Sequence, residues 1–301
     1  MIKLLSVLAL LTFPSIGGFM PSCTINNREL HYLDQGSGFP LLLGHSFLWD
    51  SRVWAPQLDL LSQHFRCIVP DLWSHGQSQT ASEGDLSIVH LAEVHHQLMQ
   101  TLEIDRYSVL GMATGGLWGA KLAMMYPDEV ASLTLIACSL DSETAENRED
   151  YLELFNIVEQ LGELPTAVVD AVIRIFFSPV TQKVHPALAE TFRFDLMCLS
   201  PEQVAGITSM GKQIFTRPSM INQLSDIRCP TLILAGQNDI PNPLSELQEM
   251  HHCLPGSQFA IIENAGHMLT LEQPDQVNQL LGNFLASIDG VQLDSNQLVF
   301  V

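Results

Sequence analysis

Basic residues are scarce in this sequence. Its 301 residues include 13 Lys and Arg against 33 Asp and Glu, which gives a formal net charge of -20. A surface with that excess of negative charge repels phosphate groups, so the sequence argues against nucleic acids and anionic lipids as partners. Neutral or cationic small molecules are the ligands that this charge favours.

Cysteine pairs with metal-binding or redox spacing are also absent. The six cysteines are scattered without C-x-x-C motifs, and several stand in or beside apolar strand-like runs, which predicts buried free thiols. His95 and His96 lie side by side in a predicted helix, where adjacent positions do not share a face. A metal pair is therefore not expected, and a solvated or rim position is predicted for both. No metal or cofactor is predicted.

The N-terminal apolar run is too short to span a membrane. Leu4 to Phe13 follows Lys3 and precedes residues 14–18 (PSIGG), an arrangement similar to a secretory signal peptide. However, the run has a single basic residue and no A-x-A site, and Met20 begins a segment that reads as a complete domain start. Residues 1–19 are therefore either the signal peptide of an exported protein or an upstream extension of a cytoplasmic one.

From residue 20 onward, strand-like and helix-like segments alternate. Their alternation predicts an α/β fold, with a mostly parallel, twisted β-sheet flanked by helices on both faces. Residues 20–140 and 227–301 are predicted to form this core. Between them, residues 141–226 show only helical patterns and are predicted to form an inserted helical unit.

The stretch from Tyr107 to Ala123 reads as strand, sharp turn and helix. Its turn, Gly111 to Gly115, has the spacing of the nucleophile elbow, G-x-S-x-G, in which a strained residue projects its side chain above a parallel sheet. On these residues the sequence resembles the α/β-hydrolase superfamily. The apex, however, is Ala113, and a methyl group can neither be deprotonated nor attack a carbonyl carbon.

Two other segments resemble loops of the same family. His45-Ser46-Phe47 resembles its H-G-x loop, which implies that the backbone N–H of Phe47 belongs to an oxyanion hole. The N–H of Thr114 is the second implied donor. Ser46 replaces the usual glycine but keeps the peptide N–H. Residues 71–78 resemble the D-x-x-G-x-G-x-S turn, to which the family gives a structural role.

The acid and the base of a catalytic triad are implied further along the chain. Gly236 to Asp239 resembles the family's acid turn, and the pair Gly266-His267, with Glu272-Gln273-Pro274 after it, resembles its histidine turn. The resemblance implies that Asp239 orients the imidazole and that His267 is the base, in the family order of nucleophile, acid and base. Asp141 is the alternative acid, because some relatives place the acid after the preceding core strand.

The inserted helices resemble the family's cap, which covers the elbow and supplies much of the substrate pocket. Their apolar side chains exceed what small helices need for their own packing; they include Leu154, Phe155, Val158, Ile175, Phe176, Phe177, Phe192, Phe194, Met197 and Met210. Most of them are expected in contacts between cap and core, and the rest in the wall of an acyl or aromatic site.

The resemblance implies a carboxylic-ester hydrolase scaffold for a small or medium apolar acyl substrate, with amide, lactone and carbon-carbon bond hydrolysis as neighbouring activities. Ala113 admits three interpretations. An inactivating Ser-to-Ala substitution fits best, because Asp239, His267 and the flanking glycines suit a serine. The alternatives are a natural ligand binder or sensor, and a cofactor-free enzyme. In that enzyme His267 is a general base, and the Phe47 and Thr114 amides hold an enolate or oxyanion.

Overall fold

A computed structural model of the protein describes residues 20–81, 84 and 86–288. The predicted signal peptide or extension at residues 1–19 lies outside these ranges, as do residues 289–301. The strands are β1 Ser22–Ile25, β2 Arg28–Gln35, β3 Phe39–Gly44, β4 Phe65–Pro70, β5 Tyr107–Met112, β6 Val130–Ile136, β7 Thr231–Gly236 and β8 Gln258–Ile262.

The strands form one eight-stranded sheet in the order β1-β2-β4-β3-β5-β6-β7-β8. β2 pairs antiparallel with both β1 and β4, and the remaining pairs, from β4 across to β8, are parallel. The predicted α/β fold with a mostly parallel sheet is therefore confirmed. Because parallel strands end at the same edge of a sheet, the carboxyl ends of β3, β5, β6, β7 and β8 lie together, where ligands bind in open α/β folds.

The antiparallel edge of the sheet is set by a tight turn. Asn26 and Asn27 link β1 to β2 with positive φ angles of 51° and 61°. A two-residue type I′ turn needs positive φ at both central positions, and asparagine tolerates that conformation better than most residues. The turn fixes the register of the hairpin, in which Ile25 pairs with Arg28.

Helices cover both faces of the sheet. They are α1 Ala55–Leu61, α2 Ile88–Thr101, α3 Thr114–Met125, α4 Ala145–Leu161, α5 Thr166–Phe176, α6 Pro179–Val184, α7 Pro186–Met197, α8 Pro201–Phe215, α9 Leu244–Cys253, α10 Leu269–Glu272 and α11 Pro274–Ala286. Alternate strand residues enter two apolar clusters: Leu42 packs with α2, α3 and α9, whereas Leu41 packs with α1 and α11. Among the described residues, no helix is both long enough and apolar enough to cross a membrane.

Five of these helices, α4 to α8, lie between β6 and β7. Residues 141–226, called the cap below, are all described, and none of them lies in a strand. The short helix α6 was not predicted as a separate element. Ser178 caps it by accepting a hydrogen bond from the Thr181 N–H, and Pro179 suits the first helical position.

The predicted solvated position of His95 and His96 is wrong. Both side chains are buried, with exposed fractions of 1% and 7%. His95 stacks on Trp118 with ring centroids 3.8 Å apart, and His96 stacks on Tyr126 with centroids 3.6 Å apart. The buried arc of a packed helix is roughly 100° wide or more, so two adjacent residues of α2 can both face α3 and the segment after it.

A close backbone approach joins β3, β5 and α3. A Cβ atom on Gly115 would lie 2.2 Å from the Gly44 carbonyl oxygen, and one on Gly111 would lie 2.4 Å from the Gly115 carbonyl oxygen. Both neighbours are backbone atoms, which cannot rotate away as a side chain can. Glycine is therefore required at both positions if α3 is to start directly after the end of β5.

We predict that Gly115→Ala lowers the free energy of unfolding by about 3 kcal/mol or more, because the added methyl group overpacks rigid backbone. Gly162→Ala is the matched control. Gly162 has a positive φ of 69° but nothing within 4 Å of an added Cβ. Its replacement should cost only the left-handed strain of about 1 to 2 kcal/mol. Urea unfolding measures both losses, and equal values would argue against the packing requirement.

Candidate active site

Ala113 forms the turn between β5 and α3. Its φ of 47° and ψ of -110° lie in a region that residues other than glycine rarely adopt. Its N–H donates to the Ile136 carbonyl at 2.9 Å, and the close packing of Gly111 and Gly115 holds the turn in place. The Ala113 side chain lines a cavity at the carboxyl edge of the sheet.

Asp239 and His267 come together at the same edge. Both carboxylate oxygens of Asp239 lie 3.1 Å from Nδ1 of His267, so the Nδ1–H donates to the carboxylate and Nε2 is left as the basic nitrogen. The Asp239 side chain is fully buried, and that of His267 is 4% exposed. Asp141, the alternative acid, is exposed, and its carboxylate accepts from the Ser142 N–H instead.

Asn242 holds Asp239 in position. Its backbone N–H donates to Oδ1 of Asp239 at 3.1 Å. Its side chain reaches the segment after β6, where Oδ1 accepts from the Ser139 N–H at 3.0 Å and Nδ2 donates to the Ala137 carbonyl at 3.1 Å. Asn242 was not among the predicted site residues, because an asparagine between two loop prolines carries no motif of its own.

Phe47 and Thr114 both line the cavity that contains Ala113. Neither backbone N–H donates a hydrogen bond to any residue within the described ranges. Thr114 is the first residue of α3, where N–H groups have no intrahelical acceptor and the helix dipole is positive. The two amides are therefore available to a developing negative charge.

Two buried histidines fix the loop after β3. Nε2 of His75 accepts from the Leu48 N–H at 3.2 Å, and Nε2 of His45 accepts from the Leu72 N–H at 2.9 Å. In each ring the Nδ1–H donates to a nearby backbone carbonyl, so both rings are neutral. Burial lowers the pKa of His45, and burial together with the neighbouring His45 lowers the pKa of His75 to about 3.

The turn at residues 71–78 supports the same loop through Asp71. Its two carboxylate oxygens accept from the Ser51 N–H at 2.8 Å and from the Gln77 N–H at 2.9 Å. Burial raises the pKa of this carboxyl to about 6, and the nearby Asp50 carboxylate acts in the same direction. These contacts give the turn a structural role.

The cavity has a volume of about 130 Å³ and a mostly apolar wall. Several apolar residues singled out in the cap line it, namely Leu154, Phe155, Val158, Ile175 and Phe176. Phe192 instead stacks on Trp49 with ring centroids 4.0 Å apart and so docks the cap on the loop after β3. Phe194 and Met197 contribute to neither contact, since they are 67% and 58% exposed.

Ionisable groups are few in the cavity wall. Glu143 and Arg217 lie 3.5 Å apart, so their charges offset each other. Burial raises the pKa of the Cys138 thiol to about 12, which keeps this side chain protonated and unreactive as a nucleophile. In the described part of the chain, no group of three or more His, Cys, Asp or Glu side chains could hold a metal ion.

Comparison with known proteins relates the chain to one family. Residues 40–274 match the family described as alpha/beta hydrolase fold, and this segment contains every candidate site residue. The chain is 27% identical over 263 residues to (E)-2-((N-methylformamido)methylene)succinate hydrolase of Acinetobacter baylyi. That alignment covers 86% of this chain and 95% of the other protein.

Solved structures show the same relationship. A thermophilic esterase from Thermogutta terrifontis, with malate bound, matches with a TM-score of 0.82 and 30% identity over 89% of this chain and 98% of that one. The enol-lactonase from Burkholderia xenovorans matches with a TM-score of 0.79 and 25% identity over 88% of this chain and 100% of that one. Neither similarity is confined to a single motif.

We predict that His75 makes the protein less stable as the pH is lowered from about 6.5 to about 3. Its neutral ring accepts the Leu48 N–H, and its pKa in the folded chain is about 3. An unfolded chain takes up the same proton near pH 6.5. The unfolded state therefore binds more protons throughout this window, so the free energy of unfolding falls as the pH falls. Urea unfolding at several pH values measures the slope.

Two variants test whether His75 causes this pH dependence of the free energy of unfolding. Glutamine does not titrate, so the free energy of unfolding of His75→Gln should depend less steeply on pH than that of the parent. His252→Gln replaces an exposed histidine and should keep the parent slope. A parent-like slope in His75→Gln would be incompatible with the role assigned to the neutral ring.

Proposed function

The chain belongs to the α/β-hydrolase fold family, and we propose that it is a carboxylic-ester hydrolase scaffold in which Ala113 occupies the position of the nucleophile. The proposed substrate carries a small or medium-sized apolar acyl group, because the cavity wall is mostly apolar. Asp239 and His267 are the proposed acid and base, and the Phe47 and Thr114 amides are the proposed oxyanion donors.

One observation supports the proposal above all others. Ala113, Phe47, Thr114 and His267 all line one cavity, the N–H groups of Phe47 and Thr114 donate to no described residue, and Asp239 holds the histidine ring there. Acyl transfer needs this combination of a nucleophile position, a base and donors for an oxyanion. A purely structural Asp-His contact would not explain two unpaired amides at the same cavity.

With serine at position 113, the chemistry follows from these positions. The hydroxyl oxygen attacks the ester carbonyl carbon while Nε2 of His267 takes its proton, and Asp239 stabilises the imidazolium that forms. The carbonyl oxygen becomes an oxyanion between the Phe47 and Thr114 amides. His267 then protonates the departing alkoxide. In the second step it deprotonates the water that releases the acid from the acyl-serine.

In the chain as it stands, the first step has no nucleophile. The base, the amides and the cavity remain, so an ester is proposed to bind and to be cleaved slowly or not at all. Loss of a serine explains the arrangement best. The turn keeps Ala113 at a strained positive φ, a conformation that would present a nucleophilic side chain but has no such use for a methyl group.

A second candidate is a reaction that needs no nucleophilic side chain. Asp239 engages Nδ1 of His267 and leaves Nε2 as the basic nitrogen. That nitrogen would take a proton from a substrate while the Phe47 and Thr114 amides hold an enolate or oxyanion. The third candidate, a binder or sensor, would use the same cavity without turnover.

The size of the cavity limits the proposed acyl group. An engineered cavity of about 150 Å³ in another protein holds benzene, which has six carbons. The cavity of about 130 Å³ in this chain therefore suits an acyl group of about four to six carbons. The similarity to an esterase and to an enol-lactonase favours an ester or a lactone as the bond that is cleaved.

We predict that Ala113→Ser raises kcat for ester hydrolysis by about 10³-fold or more. A triad without its nucleophile keeps only about 10³- to 10⁴-fold acceleration over water, from the oxyanion donors and binding. The new hydroxyl should leave the fold intact, because Nε2 of His267 can accept its hydrogen bond. The measurement is hydrolysis of short p-nitrophenyl esters by the purified parent and the variant.

The double variant Ala113→Ser with His267→Ala is the control for this prediction. It should lose the gained activity, because the serine then has no base. A folded Ala113→Ser variant as inert as the parent would eliminate the hydrolase proposal in favour of a binder or of the nucleophile-free reaction. Equal activity in the single and double variants would show that His267 is not the base.

We also predict the acyl-chain preference of the Ala113→Ser variant. Its kcat/KM should be highest for acyl groups of about four to six carbons and about 10-fold or more lower for ten. Val172→Phe adds bulk to the cavity wall and should move the optimum to shorter chains. Val180→Phe, at a position 41% exposed on α6, should not move it. If kcat/KM were highest for long acyl chains, the size of the cavity would not limit the substrate.

A further inference from the structure

Glu272, at the end of α10, is a carboxylate with an exposed fraction of only 5%. Its Oε1 accepts from the Gly266 N–H at 2.9 Å, and its Oε2 accepts from the Ser178 N–H at 2.8 Å. Gly266 belongs to residues 264–268, called the histidine turn here, and Ser178 belongs to residues 176–178 of the cap, called the cap anchor. One carboxylate therefore bridges the histidine turn and the cap anchor.

Further hydrogen bonds reinforce this bridge. The Phe176 carbonyl accepts from the His267 N–H at 2.9 Å and from the Met268 N–H at 3.2 Å. The Ser178 hydroxyl donates to the Asn264 carbonyl at 3.0 Å. The ring of Phe176 also lies with its centroid 5.0 Å from that of His267. The cap anchor thus supplies hydrogen-bond partners to the backbone of the histidine turn, much as a neighbouring β-strand supplies them in a sheet.

The histidine turn is enclosed on two sides. A Cβ atom on Gly266 would lie 2.7 Å from the Ser178 nitrogen and 3.1 Å from Oε1 of Glu272. On the opposite side, a Cβ atom on Gly236, the last residue of β7, would lie 2.1 Å from the Gly266 carbonyl oxygen. The turn is therefore held between the end of β7 and the cap anchor, with no room for a side chain.

The chemistry of the bridge requires a carboxylate. Burying a charged group is unfavourable unless its oxygens are hydrogen-bonded, and here each oxygen of Glu272 faces one backbone N–H. Glutamine offers a single acceptor oxygen, and its amide group would direct N–H toward a backbone N–H. Glu272→Gln therefore disrupts the bridge with almost no change in side-chain volume.

We propose that Glu272 is a positioning residue that makes the cap anchor a fixed support of His267. The inference rests on the proposed function, in which His267 faces position 113 during both acylation and deacylation. Movement of the cap away from this edge would take the Phe176 carbonyl from the His267 N–H and displace the imidazole. The cap anchor therefore stays hydrogen-bonded to the histidine turn during turnover. Glu272 acts on the position of His267 and does not touch the substrate.

Amide hydrogen exchange of the Ala113 chain tests the bridge without requiring activity. Glu272→Gln should accelerate exchange about 10-fold or more at Ser178, at Gly266 or at both, because the single amide oxygen of glutamine can accept from only one of these two N–H groups. Glu263→Gln changes an exposed carboxylate beside the same turn and should leave both rates unchanged. Unaltered exchange at both Ser178 and Gly266 in Glu272→Gln would refute the bridge.

The Nδ1–H proton of His267 reports the positioning directly. It is hydrogen-bonded to Asp239, so its proton NMR signal should shift or broaden in Glu272→Gln. In the Ala113→Ser background, Glu272→Gln should lower kcat about 10- to 100-fold and change KM less than about 3-fold, since a misplacement near 1 Å costs about 10²-fold. An unmoved signal or an unchanged kcat would overturn the proposal. If Ala113→Ser cleaves no ester, the proposed function fails, and the NMR signal still decides the positioning.

A second pair of variants serves if Glu272→Gln does not fold. Ser178 has a φ of -59° and a ψ of 152°, which proline accepts, so Ser178→Pro breaks the bridge: it removes the N–H and places a ring carbon against Oε2 of Glu272, which lies 2.8 Å from this nitrogen. Ser178→Ala loses the hydroxyl, as Ser178→Pro does, but keeps the N–H. A larger displacement of the His267 signal in Ser178→Pro supports the proposal, and equal displacements overturn it.

Discussion

The contact between two glycine backbones is the constraint on which the rest of the site depends. Gly44 and Gly115 bring β3 and the start of α3 closer than any side chain would allow. The turn beside this contact holds Ala113 at a φ of 47°, and Thr114, the first residue of α3, lines the cavity. The Gly115 N–H also donates to the His45 carbonyl at 3.1 Å, which ties the loop after β3 to the same point. A change in this packing would therefore move the turn and both proposed oxyanion donors together.

The loops around the turn are held by a different means. Their backbone N–H groups have no partner in the sheet, and buried or partly buried side chains accept their hydrogen bonds instead. His75, Asp71, Asn242 and Glu272 each accept from at least one such N–H. Because an unpaired buried N–H is unfavourable, each acceptor confines its loop to one conformation. These hydrogen bonds hold the loops that carry the candidate residues, and apolar side chains of the cap line the adjoining cavity.

Much of this arrangement could be predicted from the sequence, because its signals are local. Apolar runs identified the strands, the glycine spacing identified the turn around Ala113, and the order of the acid and histidine turns identified Asp239 and His267 as candidates. The missed features arise from contacts between distant segments. Asn242 is a residue type common on protein surfaces and acquires its role only where it meets the segment after β6. Glu272 stands in the motif that resembles the histidine turn, but its contact with the cap anchor could not be read from the sequence. His95 was misplaced for the same reason, since the packing of α2 on α3 buries a wider arc than the apolar pattern shows.

The central claim is that the cavity binds an ester with its carbonyl group at the turn around Ala113. A crystal structure of this chain with an intact short-chain ester tests it most directly, because the missing hydroxyl allows the substrate to survive. We predict a carbonyl oxygen about 3 Å from the backbone nitrogens of both Phe47 and Thr114, with the carbonyl carbon above the Ala113 methyl group and the acyl chain among the cap residues. An ester bound elsewhere, or one whose carbonyl oxygen faces neither amide, would contradict the claim.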